Sequence, residues 1–165
     1  MKWIYLTLFF LLNFRNNFVQ AQNTRMTFIL SIDNSIPVTN VLNGSFTIFD
    51  SLGHTIDSIP FEYHIGWLEL SGQSYIKLFT EYSNDEIKIS FLFNHISAYD
   101  ENYTQKYIEK IPKGWLNEQY MILKAYNYRD PFSRKKYTLK KDTYDIEIIT
   151  PKGKIFLDKN KLINI

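Results

Sequence analysis

The stretch Leu139-Lys140-Lys141-Asp142-Thr143-Tyr144-Asp145-Ile146-Glu147-Ile148 decides the fold class. From Tyr144 it alternates apolar and acidic side chains. That period of two predicts a strand with Tyr144, Ile146 and Ile148 facing a core and Asp145 and Glu147 facing water. Leu139 is placed to plug the core ahead of it. Asp142 stands at a turn, where a residue tolerant of unusual backbone angles is needed. In Greek-key sandwiches a strand often starts with an inward tyrosine whose hydroxyl bonds back to backbone a few residues upstream and fixes the corner between sheets. The stretch is expected to do the same.

Working outward, the alternation recurs. Met26, Phe28, Leu30 and Ile32 share one face of a first strand, and Asp33-Asn34-Ser35-Ile36-Pro37 is turn chemistry. A short strand is expected over 38–42, then a hairpin turn at Asn43-Gly44, because both residues tolerate positive φ. Phe46 and Ile48 share the next face, Asp50-Ser51-Leu52-Gly53 turns the chain, and Pro60 marks an edge. A hairpin around Ser71-Gly72 is expected to join strands 67–70 and 73–80. The clearest strand carries Ile87, Ile89, Phe91 and Phe93 on one face; 94–102 reads as loop, and 103–111 fits either a helix or a strand. Strands follow over 120–126, 144–149 and 154–157. About nine short strands separated by turn signals predict an all-β, antiparallel Greek-key sandwich, with a small soluble lipocalin-like barrel as the alternative.

Composition agrees. Aromatic residues make up 17% of the 165 residues and there are three alanines (Ala21, Ala98, Ala125), which argues against a helical bundle. The absence of cysteine excludes a disulfide scaffold, a thiol enzyme and a cysteine zinc site. A formal net charge of +2 excludes a strongly basic nucleic-acid binder.

The N-terminus reads as an address. Met1-Lys2, an apolar run over 3–12, and Val19-Gln20-Ala21 follow the order of a secretory signal peptide, too short to span a bilayer. Cleavage is expected after Ala21, leaving one domain over 22–165 with a possible subdivision near 94–104. No cysteine stands at the cleavage point to carry a lipid, so a secreted or periplasmic protein is expected, without stable membrane insertion. Heavy use of Ile, Asn, Lys, Tyr and Phe suggests an AT-rich bacterial genome. Two sequons, at Asn43 and Asn102, carry little meaning there. Charge is divided along the mature chain. Residues 22–104 hold three basic and ten acidic side chains, whereas 105–165 hold 14 basic and seven acidic. Either the halves interleave and neutralise each other, or they form acidic and basic faces suited to head-to-tail association or an anionic partner.

The 139–148 segment resembles the L-x-x-G-x-Y-x-V-x-V strand of transthyretin-like and collagen-adhesin B-type sandwiches, the group that includes carboxypeptidase regulatory-like domains. Asp142 stands where that pattern has glycine. Residues 37–53 echo the first strands of such domains. The resemblance implies a non-catalytic accessory or adhesion module. Hydroxyisourate hydrolases share the fold, but their C-terminal Tyr-Arg-Gly-Ser has no counterpart here, so that activity is not expected.

Catalytic motifs are missing. There is no G-x-S-x-G elbow, no phosphate or dinucleotide glycine loop and no HExxH, so neither an enzyme nor a cofactor is expected. Glu62 with His64, and His54 near Asp57, are the sparse material for a metal-dependent hydrolase, and no metal site is expected from them. Binding candidates are better. Trp67, Trp115, Tyr126 and Tyr128 could stack on sugars if exposed, the alternative being that the tryptophans belong to the core. Arg134, Lys135 and Lys136, with Lys140 and Lys141, are expected on a hairpin around Tyr137 that could meet a protein or an anionic surface polymer. The functional expectation is a secreted binding or structural module with a protein partner. A carbohydrate-binding module is the alternative. An outer-membrane barrel is disfavoured by Lys88, Lys110, Asp145 and Glu147 on strand faces.

Overall fold

The computed structural model describes residues 23–82, 85–96, 102–112 and 114–157; the signal-peptide reading lies outside them. The strands are β1 (Thr24–Ile32), β2 (Val41–Phe49), β3 (Thr55–Pro60), β4 (Glu62–His64), β5 (Trp67–Leu70), β6 (Glu86–His95), β7 (Tyr103–Ile111), β8 (Met121–Asn127), β9 (Tyr144–Thr150) and β10 (Gly153–Leu157). Two short helices interrupt them, α1 (Gly72–Ile76), which runs on into a π-type turn (Lys77–Glu81), and α2 (Pro131–Tyr137). One sheet has the order β10-β9-β8-β1-β5-β4 and the other β3-β2-β6-β7. The chain is an all-β sandwich and not a closed barrel. One pairing departs from the antiparallel expectation: β1 pairs antiparallel with β5 through Thr24–Thr27 but parallel with β8 through Phe28–Ile32.

The alternation explains the core. Phe28, Leu30 and Ile32 of β1, Leu123 of β8, and Ile146 and Ile148 of β9 face Phe46 and Ile48 of β2, Ile87, Ile89 and Phe91 of β6, and Tyr107 of β7. Pro60 sits on the edge strand β3, where its missing N–H costs no ladder bond. The ambiguous 103–111 segment is a strand, in continuous register with β6 from Ile87–Ile111 to His95–Tyr103.

Local expectations fail where a side chain competes with periodicity. Asn43-Gly44 is not a hairpin turn. It lies inside β2 as a bulge, where the register against β6 shifts between Leu42 and Ser45. Asn43 takes φ 51°, and a Cβ on Gly44 would lie 2.2 Å from the Phe61 ring. The pair is selected for a bulge and a close ring contact. The second strand of the hairpin expected at Ser71-Gly72 is instead α1 and its π-type turn. Ser71 Oγ accepts from Ser74 N at 3.1 Å and starts the helix, and Leu78 is buried on it.

The basic hairpin expected around Tyr137 is α2 and its following loop. Asp130 accepts from Ser133 N at 2.6 Å, Pro131 opens the first turn, and Thr138 at φ 55° ends it. Tyr137 folds onto the outer face of the larger sheet, 4.2 Å from the Tyr126 ring and 5.3 Å from Phe156. Another expectation is corrected: Asp145 and Glu147, read as outward into water, are 1% and 6% exposed. They do point outward, but β9 lies between β10 and β8. Glu147 accepts from Lys154 at 2.5 Å and from Tyr126 OH at 3.3 Å. Burial pushes the Glu147 carboxyl up, but Lys154 and Lys124 together outweigh it and hold the group below its usual value.

Candidate functional site at the sandwich tip

The ends of β1, β6 and β8 and the starts of β7 and β9 meet at one tip of the sandwich. Asp33 and Asn34, both at positive φ, close a two-residue turn between Ile32 and Ser35. The turn aims the Asp33 carboxylate at β8 and α2, where it accepts from Asn127 N and Nδ2, both at 2.7 Å, and from Ser133 Oγ at 3.2 Å. Burial raises the Asp33 carboxyl, partly offset by these donors. Asn127, its amide orientation set by Asp33, accepts from Tyr107 OH at 2.7 Å.

Tyr107 has one hydroxyl proton, given to Asn127, so its oxygen accepts from His95 Nε2 at 3.2 Å. His95 is therefore the neutral Nε2–H tautomer. Burial, aided by the Arg129 charge, brings its pKa down to about 4. The His95 ring lies 4.3 Å from Tyr103 at 4° between planes, and the Arg129 guanidinium covers the same tyrosine at 4.2 Å. Burial pushes the Tyr103 phenol up to about 12. Phe93, His95, Tyr103 and Arg129 thus form a column bridging the two sheets, with Phe93 edge-on to His95. A pocket of about 110 Å³ opens beside Arg129, lined by Tyr103, Thr104, Gln105, Tyr128, Asp142 and Thr143 as well as Asn127.

Tyr144 is the expected corner tyrosine with an unexpected partner. Its hydroxyl accepts from Ile108 N at 3.0 Å and donates to Ile108 O at 3.2 Å, on β7 of the opposite sheet and not a few residues upstream. Asp142 adopts φ 59°, the turn geometry expected of it, and Leu139 is buried.

The predicted binding residues do not converge. Trp67 is half-buried on the outer face of β5, with His64 stacked at 5.1 Å and the Arg25 guanidinium over the ring at 4.9 Å. Trp115 is half-buried and packs against the core. Tyr126 is 3% exposed. Of these three, Tyr126 is buried and offers no open stacking face. Tyr128 does reach the tip, under the Arg134 guanidinium at 5.2 Å. Arg134, Lys135 and Lys136 are exposed on α2. His54 pairs with Asp50 and Asp57 with Lys77, and among the described residues no three His, Asp or Glu groups converge on a metal position. Sequence reasoning missed Asp33, His95, Tyr103, Tyr107, Asn127 and Arg129. The turn signal at Asp33-Asn34 was legible, but its partner lies 94 residues away.

Ion pairing separates this tip from the strand faces. Lys77, Lys88, Lys110, Lys124, Lys152 and Lys154 each meet a carboxylate, and among the described residues only the Lys110–Glu86 pair joins the acidic half of the chain to the basic half. Arg129, Arg134, Lys135, Lys136 and Lys141 have no ion pair among the described residues; Arg129, Arg134 and Lys136 lie over tyrosine rings instead. No family model, curated protein or solved structure matches the chain.

Proposed function

We propose that the protein is a secreted or periplasmic, non-catalytic binding module that engages an acidic protein partner through α2 and the loop after it. The carrying observation is that Arg129, Arg134, Lys135, Lys136 and Lys141 have no carboxylate partner among the described residues, on a molecule whose strand-face lysines are mostly paired. Desolvating such cations is offset only when a partner supplies the counter-charge. The resemblance of the 139–148 strand to transthyretin-like and adhesin B-type sandwiches supports an accessory module. The polar groups at the tip also fit a non-catalytic role, because Asp33, Asn127, Tyr107 and Ser133 satisfy one another.

The test uses fluorescein-labelled deca-glutamate as an acidic probe. Wild-type protein is expected to bind it and to lose affinity steeply as sodium chloride rises from about 0.05 to about 0.3 M. Lys135→Glu/Lys136→Glu is expected to abolish binding. Tryptophan emission is expected to stay unchanged across a panel of neutral polysaccharides, because Trp67 already packs with His64 and Arg25 and Trp115 packs against the core. Binding of the probe that ignores both salt and charge reversal would sink the reading, and quenching by a neutral glycan would favour the carbohydrate alternative.

A further inference from the structure

We propose that the tip pocket is an anchor for a single carboxylate of the partner, held by the side-on N–H fork of Arg129. The inference rests on the acidic-partner reading and assigns it a specific contact. The Arg129 guanidinium sits over the Tyr103 ring, 4.2 Å from its centre, and Tyr103 is backed by His95 at 4.3 Å in a parallel stack. His95 is fixed in turn through Tyr107 and Asn127 to Asp33. The guanidinium is thus oriented by a chain of contacts crossing both sheets, and it has no carboxylate partner among the described residues. A stacked, planar fork with its rotamer already restricted is suited to bidentate carboxylate binding, since little entropy remains to be lost.

Among the described residues, Asp33 and Asp130 are otherwise engaged and Asp142 is not. Asp33 is saturated by Asn127 and Ser133, and Asp130 caps α2. Asp142 lies on the pocket wall and is exposed. Its charge disfavours a dianion, so a carboxylate fits better than a phosphate. A volume of about 110 Å³ accommodates one carboxylate and its stem, not a row of them. Arg134, stacked on Tyr128 at 5.2 Å, stands at the next position for a second acidic residue outside the pocket.

The experiment titrates labelled deca-glutamate, with free and with amidated C-terminus, into wild-type, Arg129→Lys and Lys135→Gln proteins whose thermal melts are recorded in parallel. Arg129→Lys retains the charge but not the fork; it is expected to lose about tenfold in affinity with an unchanged salt slope. Lys135→Gln is expected to lose less affinity and to flatten the slope. Equal affinity for the free and amidated peptides assigns the anchor to a side chain; a loss on amidation assigns it to the chain terminus. On wild-type protein, which needs no variant to fold, acetate is expected to displace the probe better than chloride at matched ionic strength, and better than phosphate. Wild-type affinity in a folded Arg129→Lys, or phosphate displacing better than acetate, overturns the anchor while leaving the acidic-partner reading standing. Failure of wild-type protein to bind either peptide overturns both.

Discussion

The Tyr144 hydroxyl occupies a backbone N–H and C=O of one residue, Ile108, on the edge strand β7. Unpaired edge groups invite pairing with other chains, and this tyrosine closes one such position from the opposite sheet. Its ring lies 5.0 Å from Tyr107, edge-on, inside the tip cluster. Burial pushes the phenol up to about 12, so it remains a donor at any physiological pH. Tyr144→Phe keeps the ring and removes both of these hydrogen bonds, and is expected to cost about 1 kcal/mol in urea denaturation. An unchanged midpoint and slope would show that water replaces the hydroxyl at no cost. At this scale the sequence was half legible. A tyrosine two residues after an αL turn announces a corner, but nothing local identifies Ile108 as its partner. Gly44 shows the same limit: its need for no side chain comes from the Phe61 ring, at the junction of β3 and β4.

Strands were legible as elements because burial on one face imprints period two on the residues themselves. Ile87, Ile89 and Phe91 are buried as that period requires. The helices were not, because each is short and held by capping and packing more than by a long amphipathic stripe. For α2 the signals were present: Asp130 as N-cap, Pro131 at the first position, and basic residues in the last turn. The alternating cations around Tyr137 suggested a hairpin instead. The C-terminal end of α2 is its strained part, since Thr138 is β-branched and sits at φ 55°. Thr138→Gly should therefore raise stability by about 0.5–1 kcal/mol, the relief of left-handed strain being offset in part by greater chain entropy of glycine in the unfolded state. A lower melting temperature for Thr138→Gly would show that the threonine side chain contributes more than its backbone strain costs.

Across the whole molecule, the tip network joins the two sheets through a neutral histidine. His95 titrates near 6.5 when unfolded and near 4 when folded, so between these values the unfolded chain binds more protons. Its contribution to stability is present above about 6.5 and is lost as pH falls towards about 4. After allowance for solvent screening of a half-buried ring, wild-type protein should lose about 1–2 kcal/mol more than His95→Gln over that window. Parallel pH profiles of the two proteins in chemical denaturation would remove His95 from the account. The charge division between the chain halves was visible in composition, yet its spatial outcome was not. β8, β9 and β10 stand beside β1, β5 and β4 in one sheet, and their ion pairs close within each half. The sequence by itself determined strand content, the sandwich class and the inward faces, because those follow from alternation and turn chemistry within a few residues. Tertiary structure decided the parallel β1–β8 pairing, the burial of Asp145 and Glu147 on β9 between β8 and β10, and the tip column from His95 to Arg129. Each of these depends on contacts between residues distant in the chain, and local periodicity carries no information about them.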